Sequence, residues 1–286
     1  MSKDQIKIGI IGHGFVGKAT DWGFNKNVEK FIVDPIYGTN ISDLVEFKPS
    51  IVFVCVPTPM ANDGSQDASI FLEVIKAISD QKLDSIIVVK STVLPDILIQ
   101  AKSLINNLVY NPEFLREKHA FEDFENSEMI IFGGEEIDTK KVSECFKNHS
   151  RCKTTNHIFL DLISASIVKY AINTFLATKV VFFNELNEYF SKFNSADEWT
   201  KIIDAIKADS RIGSSHMNVP GHDGKKGFGG ACFPKDTVAL AKSAEASNQN
   251  LKVLEAAVKS NNAIRKKYMD TDSREKDQNI SFDDKI

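Results

Sequence analysis

Short apolar runs rich in β-branched residues alternate, through the first half of the chain, with longer stretches whose apolar positions recur every three or four residues. Residues 6–11 (Ile-Lys-Ile-Gly-Ile-Ile) read as a strand, as do 30–33, 50–56, 85–90, 107–110 and 128–132, with helical patterns between several of them. Such alternation predicts a parallel doubly wound sheet that ends near residues 154–159. Beyond it the period turns helical. Residues 161–193, with Ile163, Ile167, Tyr170, Ala171, Phe175, Val181, Phe182, Leu186 and Tyr189, suit one long buried helix, apolar enough for an interdomain or subunit contact as well as for core packing. A further helix is predicted over 196–208, then a loop rich in Gly, Ser, Asn and His over 209–230, and two more helices to about residue 269. Residues 270–286 are polar and charged and read as a disordered tail. The resulting division is a first domain over 1–158, a helical domain over 159–269 and the tail over 270–286.

Composition narrows the classes without choosing one. The 286 residues are 42% hydrophobic and 26% charged, an ordinary globular mixture with room for about two domains. A net charge of −4 with no basic stripe argues against a nucleic-acid partner. No apolar stretch is expected to reach membrane length and the first residues lack a signal-peptide core, so a cytoplasmic location is expected. The four cysteines form no C-x-x-C pair, which points to neither a metal site nor a disulfide framework.

Two constellations carry the chemistry. After the first strand comes Gly12-His13-Gly14-Phe15-Val16-Gly17, then a helical stretch, and Asp34 closes a second apolar run 22 positions after Gly12. These are the parts of a dinucleotide site: a turn, a close backbone approach to a pyrophosphate, a tight helix–strand contact and an acid for ribose hydroxyls, with Asp34 suiting NAD over NADP. His13 reads as a variable position. Near the other end, Gly227-Phe228-Gly229-Gly230-Ala231-Cys232-Phe233-Pro234-Lys235-Asp236 places a cysteine on a glycine-rich turn before a helix. The positive end of that helix and Lys235 favour thiolate, although a small buried cysteine in a tight turn is the plainer alternative.

Three further sets lie between. Ser91 and Thr92 follow the fourth strand, at the sheet edge where open α/β proteins bind ligands; Thr92 suits a water or nicotinamide, and Ser/Thr before Pro equally suits a helix start. Glu113 and Glu117, four apart after the fifth strand, are candidate bases or solvated surface acids. Lys169 and Asn173, four apart on the long helix, would make an oxyanion clamp unless the lysine snorkels to the surface.

Together with Val56-Pro57-Thr58-Pro59, Asn111-Pro112-Glu113-Phe114-Leu115-Arg116-Glu117, Lys169-Tyr170-Ala171-Ile172-Asn173-Thr174-Phe175 and Phe183-Asn184-Glu185, these motifs resemble the UDP-glucose/GDP-mannose dehydrogenase family in order and spacing over nearly the whole chain. The resemblance implies an α/β fold, with an N-terminal Rossmann-type doubly wound sheet followed by an all-helical domain built on a long central helix that makes a homodimer. It implies an NAD-dependent four-electron oxidation of a nucleotide-sugar C6 alcohol to the carboxylate, UDP-glucose to UDP-glucuronate above all. Cofactor contacts fall on Gly12, Gly14, Phe15, Val16, Gly17, Asp34, Val56, Pro57, Thr58, Thr92 and Glu113. Substrate contacts fall on Phe114, Leu115, Arg116, Glu117, Lys169, Asn173, Gly229 and Cys232. Lys169 and Asn173 would stabilise the oxyanions, Thr92 and Asp236 would hold a proton-accepting water, Cys232 would capture the aldehyde, and Glu117 would be the base of thioester hydrolysis. Family members usually continue into a third, nucleotide-binding domain, whereas 17 residues follow Met269 here, so a short form is expected. Its nucleotide would be held by the loop over 213–230 or by a partner chain. A two-electron hydroxyacid-type dehydrogenase and a non-catalytic NAD-binding subunit are the competing readings.

Overall fold

In β3 (Ile51–Val54) and β4 (Ile86–Val89) every side chain is buried, and successive residues serve opposite layers: Val52 and Val54 one, Ile51 and Phe53 the other. Strands covered on both faces belong inside a parallel sheet. The computed structural model, which describes residues 5–268, 270–283 and 285–286 without the side chain of Glu117, places them in a seven-stranded sheet. Its other strands are β1 (Ile6–Ile11), β2 (Val28–Val33), β5 (Leu108–Tyr110), β6 (Ile130–Gly134) and β7 (His157–Leu160), in the order β2-β1-β3-β4-β5-β6-β7. Between them run α1 (Phe15–Gly23), α2 (Asp43–Phe47), α3 (Ser69–Gln81), α4 (Pro95–Leu104), α5 (Ala120–Glu125) and α6 (Glu136–His149). Phe71, Ile75 and Ile78, one stripe of α3, join Leu98 and Ala101 of α4 on one face of the sheet. Phe24, Phe124, Val142 and Phe146 cover the other.

One pairing departs from the all-parallel expectation: β5 and β6 are antiparallel, with Val109 opposite Gly134 and Tyr110 opposite Gly133. The connection between them runs along the carboxyl edge of the sheet and contains a 3-10 turn at Glu117–His119 and the six-residue α5, about 9 Å of helix. The chain therefore enters β6 from that edge instead of recrossing the sheet, and mixed sheets of this kind are common.

The chain divides into two compact units, Met1–Thr58 with Asp67–Lys169, and Pro59–Gln66 with Tyr170–Ile286. The division falls within the long helix α7 (Leu162–Phe190), because Leu162, Ala165 and Val168 of its first turns pack in the sheet's own cluster. The second unit holds the rest of α7 with α8 (Trp199–Lys207), α9 (Phe233–Ala246), α10 (Lys252–Arg265) and α11 (Ser273–Asp277). Small clusters centre on Ala177, Val181 and Phe228, on Met60, Val238 and Val258, and on Phe183, Ile203 and Met217.

Two expectations change here. By length and composition α7 is apolar enough to cross a membrane, although no stretch was expected to be. Its lysines Lys169 and Lys179 and its amides Asn173 and Asn184 are buried, while Ile163, Ile167, Phe175, Phe182 and Tyr189 are exposed. This is a core helix with one exposed apolar face, where a long buried helix was expected. Second, the described residues of 270–286 are not a disordered tail. Asp272 and Glu275 close a capping box on α11, and Ile280 and Ile286 pack against the cluster of Met60, Val238 and Val258. Average polarity over the segment conceals these few anchors.

Candidate active site

In the first unit the residues that follow the carboxyl ends of β3, β4 and β5 are tied to one another and to β6. Ser91 Oγ donates to Val56 O at 2.6 Å, Thr58 Oγ1 to Thr92 O at 2.9 Å, Lys90 Nζ to Asn111 Oδ1 at 2.9 Å and Asn111 Nδ2 to Ile131 O at 2.7 Å. Asp34 accepts from the His13 N–H at 2.7 Å and the Ile36 N–H at 3.0 Å, which locks the acid against the glycine turn.

The glycines fit a dinucleotide. A Cβ on Gly17 would stand 2.0 Å from Gly12 O, so helix and turn meet backbone to backbone, whereas a Cβ on Gly14 would meet nothing within 4 Å. That open side of Gly14 is the approach a pyrophosphate needs, beside the amino end of α1. The His13 side chain, which the sequence left as a variable position, bridges Tyr37 OH at 2.8 Å and Asp21 Oδ2 at 3.3 Å. Nothing in the motif signals this, since both partners lie outside it.

Lys169 is also set in this unit, 2% exposed. Its Nζ donates to Glu113 O, lies 3.7 Å from Glu113 Oε1 and sits 4.9 Å over the Phe114 ring. Glu113 in turn accepts the Leu115 N–H at 2.6 Å. The structure thus brings together Lys169, Glu113 and Phe114, and resolves the lysine as buried rather than snorkelling. Arg116 instead faces outward, paired with Asp123 at 2.7 Å. Glu117 begins a 3-10 turn, and its side chain lies outside the described residues.

In the second unit Cys232 is the N-cap residue of α9, half-buried, and its carbonyl accepts the Asp236 N–H at 2.9 Å. Asp236 is 1% exposed, with Oδ2 accepting from Asn173 Nδ2 at 2.6 Å and Oδ1 paired to Lys235 Nζ at 2.6 Å. Lys235 therefore supports Asp236 directly, a role the sequence reading had not given it. The glycine turn before Cys232 is held through Asn184, which accepts the Gly227 N–H at 3.0 Å, and Asn261, which accepts the Phe228 N–H at 2.6 Å.

Burial sets the remaining thiols and one amine. It pushes Cys55 and Cys145 up to about 12, with Lys90 partly opposing the effect at Cys55, and it raises Cys152 as well. The same desolvation holds Lys90 below its usual value, against the opposing pull of Cys55 and Glu113.

Residues 36–149 match the NAD binding domain, and residues 163–263 the central domain, of the UDP-glucose/GDP-mannose dehydrogenase family. A UDP-glucose 6-dehydrogenase of Rickettsia felis is 32% identical over 78% of this chain and 50% of its own length. One of Campylobacter jejuni is 32% identical over 96% of this chain and 76% of its own. Among solved structures, a UDP-glucose dehydrogenase of the hyperthermophilic archaeon Pyrobaculum islandicum superposes with a TM-score of 0.77 at 25% identity, covering 92% of this chain and 69% of that one. The chain spans about half the length of the Rickettsia relatives it matches.

Proposed function

The chain belongs to the UDP-glucose/GDP-mannose dehydrogenase family, with NAD as its cofactor, and from that membership we propose that it oxidises the C6 alcohol of a nucleotide sugar, UDP-glucose first among them, to the carboxylate in two successive two-electron steps. When bound, NAD supplies hydride acceptance, one molecule for each step. Gly12, Gly14, Phe15, Val16 and Gly17 hold its pyrophosphate, Asp34 its ribose, and Val56, Pro57, Thr58, Thr92 and Glu113 the rest of it.

In the first step the hydroxyl proton passes through a water to Asp236 as C6 loses its hydride, and Lys169 Nζ with Asn173 Nδ2, one turn apart on α7, steadies the alkoxide. Cys232 Sγ then adds to the aldehyde carbon as thiolate, giving a thiohemiacetal whose oxyanion the same two donors stabilise. Loss of the second hydride leaves a thioester. A water deprotonated by Glu117 breaks the C–S bond, giving the carboxylate and returning the thiol. Phe114, Leu115, Arg116 and Gly229 contact the sugar nucleotide.

The observation that carries this reading is the cluster behind the thiol: Cys232 caps a 14-residue helix whose buried Asp236 is bonded on one oxygen to Asn173 and on the other to Lys235. Rapid acid quench with UDP-glucose and NAD, followed by peptide mass spectrometry, is expected to find an acyl adduct on Cys232. An enzyme that turns over with Cys232 unmodified under every quench time contradicts the covalent route. The exposed stripe Ile163, Ile167, Phe175, Phe182 and Tyr189 on α7 supports a homodimer through that helix.

A further inference from the structure

Glu275 is 2% exposed on the five-residue α11, in a stretch whose composition is that of solvated chain. Its Oε2 accepts the Asp272 N–H at 3.0 Å while Asp272 accepts the Glu275 N–H at 2.7 Å, so the capping box fixes the side chain. Its Oε1 accepts the N–H of Gly230 at 2.9 Å and lies 3.3 Å from Arg265 Nη2. Arg265 is itself paired with Asp223 at 2.7 Å and lies against the rings of Tyr268 and Phe282. A Cβ on Gly229 would stand 1.9 Å from Arg265 Nη2 and 2.7 Å from Glu275 Oε1, so the ion pair presses on the turn without clearance.

Gly230 is two residues from Cys232. The same C-terminal segment also reaches the helix that follows the thiol, since Ile280 and Ile286 pack in the cluster containing Val238 of α9. Gln278 O accepts the Met60 N–H at 3.0 Å and Asp283 O the Asn262 Nδ2 at 3.0 Å, which fastens the segment along its length. The turn before Cys232 and the helix after it are thus gripped by one strap. A carboxylate is not buried without a partner charge and hydrogen bonds, and here one of those bonds ends on the backbone of the cysteine turn, at the Gly230 N–H.

We propose that Glu275 is a positioning residue for Cys232, and that the described residues from Asp272 to Asp283 form a strap that fixes the geometry of the thiol through the Gly230 N–H. The proposal rests on the reading of Cys232 as the nucleophile, although the strap itself can be tested without it. Amide hydrogen exchange on the full chain, with Glu275→Gln beside the natural protein, reads the turn directly; the pH profile of iodoacetamide alkylation at Cys232 reads the thiol. Glu275→Gln keeps the volume but puts a donor NH2 where one carboxylate oxygen accepted, so it cannot keep both the Asp272 and Gly230 N–H bonds and loses the charge that holds Arg265; it is the variant expected to fold, with Glu275→Ala as the harsher companion. The expected result is exchange at residues 228–231 about tenfold faster, corresponding to roughly 1.4 kcal/mol, a displaced alkylation profile, and unchanged exchange in the strands of the sheet. Natural exchange at 228–231 overturns the proposal. Faster exchange with an unaltered alkylation profile overturns it too, leaving Glu275 a structural contact only. Should Cys232→Ala retain full turnover, the nucleophile reading falls, while the exchange data still decide the strap.

Discussion

Asp236 holds a buried charge between an amide and an ammonium, and removing either neighbour acts on both stability and chemistry. Asn173→Ala takes one donor from Asp236 and one from the proposed oxyanion. It is expected to cost about 1–3 kcal/mol in urea unfolding and to lower kcat on the order of 10²–10³-fold with little change in KM. A raised KM at unaltered kcat would place Asn173 in ground-state binding instead. The buried thiols make a different prediction. Cys55 and Cys145 titrate near 12 in the folded protein against 9.0 when unfolded. Between those values the unfolded chain has lost protons that the folded chain keeps, so their contribution is complete below pH 9 and is lost as pH rises toward 12, about 4 kcal/mol per thiol. Lys90 works in the opposite direction, since the unfolded chain holds its proton to 10.5 while burial has lowered the folded value. Cys145→Ala is therefore expected to flatten the alkaline fall of the urea midpoint. A slope equal to the natural protein's between pH 9 and 11 would show that this thiol ionises freely in the fold.

At the level of elements, α7 does two jobs on two faces. One carries Lys169, Asn173, Lys179 and Asn184 inward, the other leaves Phe175 and Phe182 exposed seven residues apart. Phe175→Asp with Phe182→Asp is expected to halve the mass seen in sedimentation velocity at micromolar protein while far-UV circular dichroism stays the same; a natural protein already monomeric under those conditions would end the dimer proposal. Most elements were legible because local pattern and burial agree: the four-residue runs of β3 and β4, the stripe of α3 and the length of α7 all follow from periodicity. What escaped was set by contacts distant in sequence. The reversal at β6 depends on the path of the chain between strands, and the order in the described residues of 270–286 depends on Glu275 finding Arg265 and Gly230. In the site, the motif residues were legible by type and spacing, whereas Lys235, and the partners of His13 at Asp21 and Tyr37, become visible only when side-chain directions are known.

Across the whole molecule, the residues proposed for cofactor binding and the proposed nucleophile Cys232 fall in units with separate cores. The sheet clusters belong to Met1–Thr58 with Asp67–Lys169, and Cys232 and its supports to Pro59–Gln66 with Tyr170–Ile286. NAD affinity by calorimetry is accordingly expected to stay within about twofold in Cys232→Ala, since less than ~0.4 kcal/mol is at stake for a residue outside the cofactor unit. A larger loss would mean that the two units do not act independently in binding. The central claim is that one thiol carries the second oxidation. Counting NADH formed per UDP-glucose consumed tests it most directly: two for the natural protein, and at most one, with aldehyde as the product, for Cys232→Ala. Two NADH per sugar from Cys232→Ala would contradict the account.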